Sequence, residues 1–197
     1  EIRTVLDAYP ERYVVGETFL GGHVMAAGYC GPDLLNAAFN FSLLRRLFTP
    51  RSMLSAINNW EKALKPGAWP NYVLNNHDVP RSATRYLAGR KDQILKVAAA
   101  MLLTLRGTPF LYYGEEIGMR DIPVRRSEIQ DPVGKRYWPL PVGRDGCRSP
   151  MQWSPDPGAG FTSGKPWLKI HMNYKYRNVN QQTGEPGSLL NFYKTLL

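Results

Sequence analysis

Two short apolar runs in the sequence end on side chains that can carry acid–base chemistry. The run 72–74 leads into Asn75-Asn76-His77-Asp78, and the run 13–16 leads into Glu17. Burying such side chains without partners costs about 2–7 kcal/mol for each amide and more for a carboxylate. Barrels of alternating strands and helices present catalytic groups at the carboxyl ends of their strands. Two strand ends with one acid each therefore indicate a site that works with carboxylates.

The elements that must position these side chains alternate between strand and helix. Four strands are predicted, at residues 13–17, within 34–41 near its Phe39-Asn40-Phe41 end, at 72–74 and at 108–113. A Gly-rich loop is expected between the first two strands. Three helices are predicted, at residues 51–64, 91–105 and 188–197. The second helix is apolar nearly all round, so we expect it to be buried, whereas the sequence between residues 118 and 187 shows little periodicity.

This alternation of strands and helices predicts a parallel sheet. Four strand–helix units are half of the eight in a closed (β/α)8 barrel, which typically takes about 250 residues. A half barrel would leave sheet edges and apolar inner-face groups exposed. We therefore expect the 197-residue chain to be part of a longer barrel or to be completed by a partner.

Several motifs resemble those of the α-amylase family of retaining glycoside hydrolases, known as glycoside hydrolase family 13. The segments Val15-Gly16-Glu17, Asn75-Asn76-His77-Asp78 and Arg106–Met119 resemble the family as a whole. Two further segments, Asp131–Tyr137 and Gly143–Trp153, look like its α-glucosidase and oligo-1,6-glucosidase branch. The resemblance covers essentially the whole chain. A single Asn-His-Asp motif would carry little weight, whereas the motifs in this order and spacing are specific.

The resemblance implies an α/β fold of the TIM-type (β/α)8 barrel, of which residues 1–197 form only the C-terminal half. Residues 1–12 would be the end of the fourth helix, strands 5–8 and their helices would follow, and residues 188–197 would begin the last helix. The N-terminal half of the catalytic domain and the C-terminal β-domain would be absent. The family's nucleophile is an Asp at the end of strand 4 that matches no position here. The chain alone is therefore expected to be inactive.

The resemblance also implies roles for four residues. Glu17 matches the family's acid/base, whose side chain reaches the glycosidic oxygen. Asp78 matches the carboxylate that binds sugar hydroxyls and stabilises developing positive charge, and His77 would donate to the same sugar. Arg148 matches an arginine that closes the pocket over the non-reducing end of the substrate and pairs with an early Asp that this chain lacks.

Other polar residues in these motifs are expected to be structural. We expect Arg144-Asp145 to hold their loop and Glu115-Glu116 to lie away from the chemistry. Arg81 and Arg85 are expected either to line the outer pocket or to shape a loop. Most of the five tryptophans are expected to be packing residues, although tryptophan can stack on sugar rings.

The net charge of +9 and the sequence pI of about 9.7 raise the question of nucleic-acid binding. The basic residues are scattered, and no basic helix, RNP-like strand or zinc-finger spacing is present, so no nucleic-acid partner is expected. No apolar run approaches the roughly 20 residues that cross a bilayer, so no membrane partner is expected either. The start of the sequence is not that of a signal peptide, and it lacks a Met.

Cys30 and Cys147 lie far apart in the sequence and form no CxxC motif. With three histidines in the chain, no metal-ligand cluster is predicted. Free thiols in a reducing compartment are the default expectation, which favours a cytoplasmic over a secreted protein, and no disulfide is supported. No metal and no cofactor are implied by the resemblance.

The implied function is release of α-glucose from the non-reducing end of short α-glucosides such as maltose or isomaltose, so the expected partner is a small α-glucoside. A trehalose synthase or sucrose isomerase of the same family remains an alternative, because these enzymes share the residues and differ in how well they exclude water. A non-catalytic subunit with this fold is the alternative outside enzymes. Such subunits tend to lose the catalytic carboxylates, whereas Glu17 and Asp78 are present.

Overall fold

Residues 1–18, 21–86 and 92–197 are described by a computed structural model. They divide into two units, and each is treated on its own. Unit 1 consists of Glu1–Leu74 with Thr104–Phe110. Unit 2 consists of Asn75–Leu103 with Leu111–Leu197.

Unit 1 contains the four strands of the described chain, and they pair in two parallel pairs. Its elements are α1 (Ile2–Asp7), β1 (Val15–Gly16), α2 (Gly22–Gly28), β2 (Ala37–Ala38), α3 (Pro50–Ala63), β3 (Asn71–Val73) and β4 (Thr108–Phe110). β1 pairs with β2, with Val15 opposite Ala37. β3 pairs with β4, with Tyr72 opposite Pro109. The prediction of parallel pairing is confirmed.

Three of the strands are shorter than the sequence predicts, β3 has the predicted length but begins one residue earlier, and one predicted loop is wrong. The fourth strand ends at Phe110 rather than at residue 113, because the chain then turns and Glu115 N–H donates to Tyr112 O at 3.0 Å. The Gly-rich stretch expected to be a loop forms α2. Gly21 and Gly22 lie at the start of this short helix, and both adopt positive φ angles.

Helix α3 confirms the prediction for residues 51–64, and its sequence explains its limits. Thr49 caps the first turn by accepting a hydrogen bond from Ser52 N–H at 3.4 Å, and Pro50 occupies a first-turn position where no N–H is needed. The helix ends at Ala63, ahead of Pro66-Gly67. Its buried face, at helical spacing, consists of Met53, Ala56 and Trp60.

Unit 2 is helical in the part that the structure describes. Its α-helices are α4 (Ser82–Arg85), α5 (Asp92–Thr104, whose last residue is assigned to unit 1), α6 (Pro132–Tyr137), α7 (Val179–Gly184) and α8 (Leu189–Leu196). Short 3-10 helices occupy Arg126–Glu128, Asp145–Arg148, Pro157–Gly160 and Met172–Lys175. The final helix is confirmed at α8, which Ser188 caps by accepting from Asn191 N–H at 3.1 Å.

The expectation that the second predicted helix is buried all round is wrong. Helix α5 buries one face, made of Leu95, Ala98, Ala99 and Leu102, but Val97 is 60% exposed. Because α5 is apolar on nearly every side, its sequence does not indicate which face packs against the rest of the protein and which is exposed. None of the helices described in the ranges 1–18, 21–86 and 92–197 has the length and hydropathy to span a membrane.

The aperiodic region between residues 118 and 187 is held by a small apolar cluster and by buried hydrogen bonds. The cluster contains Ile117, Met119, Met151 and Leu190, and Val179 packs against it. Buried Gln182 donates from Nε2 to Ile117 O at 2.9 Å, and its Oε1 accepts from Leu190 N–H at 3.1 Å. Hydrogen bonds from polar side chains thus take the place of long helices and strands in this region. The sequence here therefore shows no helical or strand periodicity.

Candidate functional site

The two asparagines that follow β3 shape the backbone of unit 2. Buried Asn75 donates from Nδ2 to Ser82 Oγ at 3.0 Å, and its Oδ1 accepts from Ser82 N–H. Asn76 Oδ1 accepts from Asp78 N–H at 2.9 Å and from Val79 N–H at 3.1 Å. Asparagine side chains that bond to the backbone two or three residues on stabilise tight turns. The two amides therefore fix the turn that presents His77 and Asp78.

Asp78 is the centre of a charged cluster in unit 2. Arg148 donates from Nη2 to Asp78 Oδ1 at 3.0 Å and from Nε to His77 O at 2.8 Å. The His77 ring is half-exposed, and its Nε2 lies 3.5 Å from the same Asp78 oxygen. The Asp78 side chain is 21% exposed, so the carboxylate is held in place but remains accessible. Within unit 2 the structure thus brings together three predicted site residues, His77, Asp78 and Arg148.

Arg144 is a fourth member of this cluster, and no pattern in the sequence places it there. Its Nη1 lies 3.3 Å from Asp78 Oδ1, and its Nε and Nη2 donate to Asp131 at 3.1 and 2.7 Å. The expectation that Arg144 only holds its loop is therefore incomplete. Asp145 matches that expectation, because its buried carboxylate accepts from the N–H groups of Gln130 and Asp131.

The loop that carries Arg148 is fixed by two tyrosines and a backbone contact. Tyr112 Oη donates to Cys147 O at 3.3 Å, and Tyr113 Oη donates to Ser149 O at 2.7 Å. Ile122 N–H donates to Gly146 O at 3.0 Å within the 3-10 helix Asp145–Arg148. Hydrogen bonds therefore fix the loop on both sides of Arg148, at Cys147 and at Ser149.

Glu17 lies in unit 1, immediately after β1, and its side chain is exposed. The strand is fixed up to that point because Phe39 N–H donates to Gly16 O at 2.9 Å. Residues 19 and 20, which follow shortly after, lie outside the described residues. Glu17 thus occupies the strand-end position that the sequence predicts, with a carboxyl group open to solvent.

Arg81 does not line an outer pocket but is a buried structural residue. Its guanidinium packs against the rings of Tyr112 and Tyr113, with its Cζ 4.9 and 4.7 Å from their centroids. Its Nη1 also donates to Tyr113 O at 2.6 Å. Of the alternatives open for Arg81, the loop-shaping role is the one that the structure supports.

The expectation for the tryptophans is wrong, since Trp60 is fully buried but the other four are 43–57% exposed.

Glu115 confirms the structural role expected of it, and it is a titratable group at an unusual position. The carboxyl is buried and accepts from Tyr193 Oη at 3.2 Å and from Tyr112 N–H at 3.4 Å. Burial raises the pKa of Glu115 from its ordinary 4.5 to about 7, although hydrogen bonds from Asn75, Tyr112 and Tyr193 oppose that rise. Glu115 therefore changes charge near neutral pH inside unit 2.

We expect Glu115→Gln to make stability less dependent on pH. A raised folded-state pKa stabilises the fold below about pH 4.5, and this contribution is lost as the pH rises through about 7. The shift corresponds to about 3 kcal/mol. The free energy of unfolding of the variant should therefore gain up to that amount relative to wild type between pH 4.5 and 8.

Denaturant titrations of the protein at several pH values measure this difference. Glu11→Gln is the matched control, because Glu11 is exposed and its replacement should leave the pH dependence unchanged. A Glu115→Gln difference that stays constant over the whole pH range would contradict the assignment.

The cluster around Asp78 can bind and orient a polar neutral ligand. Its carboxylate accepts hydrogen bonds from ligand hydroxyl groups, and Arg148 and His77 supply donors beside it. Two guanidinium groups already face Asp78 Oδ1, and they oppose a metal cation at that oxygen. The arrangement therefore favours a neutral, hydroxyl-rich ligand.

Comparison with protein-family models matches all of residues 1–197 to the α-amylase catalytic domain. Among curated proteins, a probable α-glucosidase of Rhizobium meliloti (strain 1021) is 36% identical over 202 residues, which cover 99% of this chain and 36% of that protein. Probable oligo-1,6-glucosidase 2 of Bacillus subtilis (strain 168) is 36% identical over 165 residues, covering 73% of this chain and 29% of that protein. The chain thus spans about a third of the length of these relatives.

Solved structures of similar enzymes match the fold. The α-glucosyl transfer enzyme XgtA matches with a TM-score of 0.91 and 34% identity, over 99% of this chain and 37% of that one. A mutant of the isomaltulose synthase of Erwinia rhapontici NX5, solved with its natural substrate sucrose, matches with a TM-score of 0.86 and 28% identity. That match covers 98% of this chain and 41% of the synthase.

Proposed function

Because this chain belongs to the α-amylase family, whose catalytic domain is a (β/α)8 barrel, we propose that it is part of a retaining glycoside hydrolase. The proposed reaction releases α-glucose from the non-reducing end of short α-glucosides such as maltose or isomaltose. The names of the curated relatives, α-glucosidase and oligo-1,6-glucosidase, support this substrate class. We further propose that β1–β4 are the fifth to eighth barrel strands, so that residues 1–197 are the C-terminal half of the catalytic domain.

One observation carries this proposal. Asp78 follows a parallel strand after a short turn and presents an accessible carboxylate that Arg148 and Arg144 hold in place. A retaining glycosidase passes through an oxocarbenium-like transition state. A fixed carboxylate beside the sugar ring stabilises that positive charge more strongly than it stabilises the neutral substrate.

The proposal assigns a role to each of the predicted residues. Asp78 stabilises the transition state and binds sugar hydroxyls, His77 donates to the same sugar, and Arg148 covers the non-reducing end. Glu17 is the acid/base that protonates the leaving oxygen. The nucleophile is supplied by a residue outside residues 1–197, from the N-terminal half of the barrel. On this proposal the purified 1–197 chain is inactive, and its turnover of 4-nitrophenyl α-glucoside would contradict it.

The test is a substrate panel with the full-length protein, meaning residues 1–197 together with the N-terminal half of the barrel that this proposal requires. Maltose, isomaltose, sucrose and trehalose are incubated separately, the products are separated by chromatography, and the anomer released first is identified by proton NMR. We expect glucose from maltose or isomaltose. From 4-nitrophenyl α-glucoside, whose single glucose carries the anomer set by the enzyme, we expect α-glucose before mutarotation, because two displacements retain configuration. Failure to hydrolyse both disaccharides, or initial release of β-glucose from the aryl glucoside, would overturn the proposal.

A sucrose isomerase is the second candidate, favoured by the similarity to an isomaltulose synthase over 98% of the chain. Such an enzyme returns the glucosyl group to fructose rather than to water, so its site must exclude water from the covalent intermediate. The same panel separates the two functions. Conversion of sucrose mainly to an isomeric disaccharide, with little free glucose, would favour the isomerase.

A further inference from the structure

The carboxylate of Asp131 forms the most complete ion pair described in unit 2. Its side chain is 0% exposed. Arg144 donates to it through Nε at 3.1 Å, through Nη2 at 2.7 Å and through the backbone N–H at 2.9 Å. These hydrogen bonds hold the pKa of Asp131 well below its usual range. Asp131 is therefore charged at all ordinary pH values, and it binds the guanidinium group at two of its three nitrogens.

The third nitrogen of the same guanidinium group faces the proposed catalytic cluster. Arg144 Nη1 lies 3.3 Å from Asp78 Oδ1. A guanidinium group is planar and rigid, so fixing Nε and Nη2 also fixes the direction of Nη1. The contact between Arg144 and Asp78 is thus a geometric consequence of the pair between Arg144 and Asp131.

The two carboxylates also share the charge of Arg144 unequally. The shortest contact to Asp131 is 2.7 Å, whereas the contact to Asp78 is 3.3 Å. Coulomb interactions weaken with distance, and Asp131 receives two side-chain hydrogen bonds where Asp78 receives one. Asp131 therefore offsets most of the positive charge that Arg144 would otherwise place beside Asp78, which leaves Asp78 more strongly negative toward a ligand.

Asp131 is itself fixed by its surroundings. Its backbone N–H donates to both carboxylate oxygens of Asp145, at 3.1 and 3.0 Å. Its Oδ1 accepts from Val133 N–H at 3.3 Å and so caps the start of α6. Asp145, which does not touch Asp78 in any described contact, thus supports the whole arrangement through the backbone of Asp131.

We infer that Asp131 is a positioning residue, which aims the Arg144 guanidinium at Asp78 and keeps that arginine from neutralising the Asp78 carboxylate. This inference rests on the proposed function, because it assigns Asp78 to the stabilisation of positive charge. The site then includes the buried Asp131 carboxylate, which would not touch the sugar and acts on Asp78 only through Arg144.

The test uses Asp131→Asn in the full-length protein. Asparagine keeps the shape of the side chain but loses its charge. Its amide NH2 group also replaces a carboxylate oxygen that accepts hydrogen bonds from Arg144. Arg144 is then free to pair more closely with Asp78. We expect kcat for maltose to fall by roughly 10–100-fold, the size of loss seen when a hydrogen-bonded partner that orients a metal ligand is removed. We expect KM to change by less than about threefold, because ground-state hydrogen bonds are retained.

Asp92→Asn is the matched control. Asp92 forms an ion pair with Arg177 at 2.8 Å in the same unit, and neither residue makes a described contact with the Asp78 cluster. Its replacement should lower Tm, while kcat and KM stay at wild-type values. Equal losses of kcat in both variants would show that any broken ion pair lowers activity through stability, and this would overturn the inference.

A second measurement does not depend on turnover. The Nε–H signal of Arg144, assigned by its loss in Arg144→Lys, should be resolved in 15N NMR of the wild type, because Nε donates to Asp131. It should broaden or shift in Asp131→Asn and stay unchanged in Asp92→Asn. An unchanged signal in Asp131→Asn would overturn the positioning role.

The two readouts separate the inference from the proposed function. If the wild type hydrolyses no α-glucoside while the Arg144 signal behaves as expected, the proposed function fails and Asp131 still orients Arg144. If the wild type is active and Asp131→Asn retains normal kcat, the inference fails and the proposed function stands. If Asp131→Asn does not fold, Asp131→Glu provides the test, because it keeps the charge but displaces the carboxylate from Arg144 Nε and Nη2; normal kcat with an unchanged Arg144 Nε–H signal would overturn the inference.

Discussion

Replacing Asp78 by Asn in the full-length protein is expected to lower kcat by about 10²–10³-fold while changing KM much less. The expected size is that of removing one preorganised electrostatic contact from an active site. Asparagine preserves the shape of the side chain and one acceptor oxygen, so sugar hydroxyls still bind. It cannot balance the positive charge that develops at the sugar ring, and the loss therefore falls mainly on the transition state.

Steady-state kinetics on maltose and isomaltose, together with the binding of glucose by calorimetry, measure these two effects separately. Glu128→Gln is the control, because Glu128 pairs with Lys169 at 2.8 Å at an exposed position and such pairs contribute little to stability. A variant with near-normal kcat and a raised KM would identify Asp78 as a substrate anchor rather than a stabiliser of the transition state.

The resemblance to the α-amylase family, stated from the motifs, is confirmed by the family match over residues 1–197. The strand-end reading of the Asn75-Asn76-His77-Asp78 motif is informative in two ways. It correctly identifies His77 and Asp78 as neighbouring polar groups, and the structure adds Arg148 to them. The two asparagines, however, support the turn through backbone hydrogen bonds. A polar run at a strand end thus contains both candidate catalytic residues and residues that stabilise the turn. The residue types alone do not distinguish the two groups.

The contacts that the sequence could not predict are long-range and have no period. Asp131 and Arg144 are 13 residues apart in a region without helical or strand spacing, and Arg144 meets Asp78 across 66 residues. Such contacts depend on loop geometry that tertiary packing sets. Arg81 is a similar case, because its burial against Tyr112 and Tyr113 opposes the general tendency of arginine to be exposed.

Element type was predictable where an amphipathic period or a cap was present, as in α3 and α8. Element length was not, since β1 and β2 extend over two residues each while their apolar runs are longer. A run of apolar residues indicates burial, whereas the extent of a strand depends on which backbone groups find partners on the neighbouring strand. Both strand ends that matter for the proposed chemistry were nevertheless located correctly.

Glu17→Gln is expected to separate substrates by the quality of their leaving groups. An acid/base contributes roughly 10²–10⁴-fold when the leaving oxygen needs a proton, so kcat/KM for maltose should fall by that factor in the full-length protein. Fluoride leaves without a proton, so kcat/KM for α-glucosyl fluoride should fall by less than about tenfold.

The exposed position of Glu17 directly after β1 motivates this prediction, because a catalytic acid must reach the glycosidic oxygen from a fixed strand end. Glu11→Gln, the same change at another exposed glutamate of unit 1, should leave both rates unchanged. Parallel measurements on maltose and the fluoride with both variants give the ratio that decides the role. Equal losses on the two substrates in Glu17→Gln would mean that Glu17 supports the site without transferring a proton, and the acid role would have to be assigned to another group.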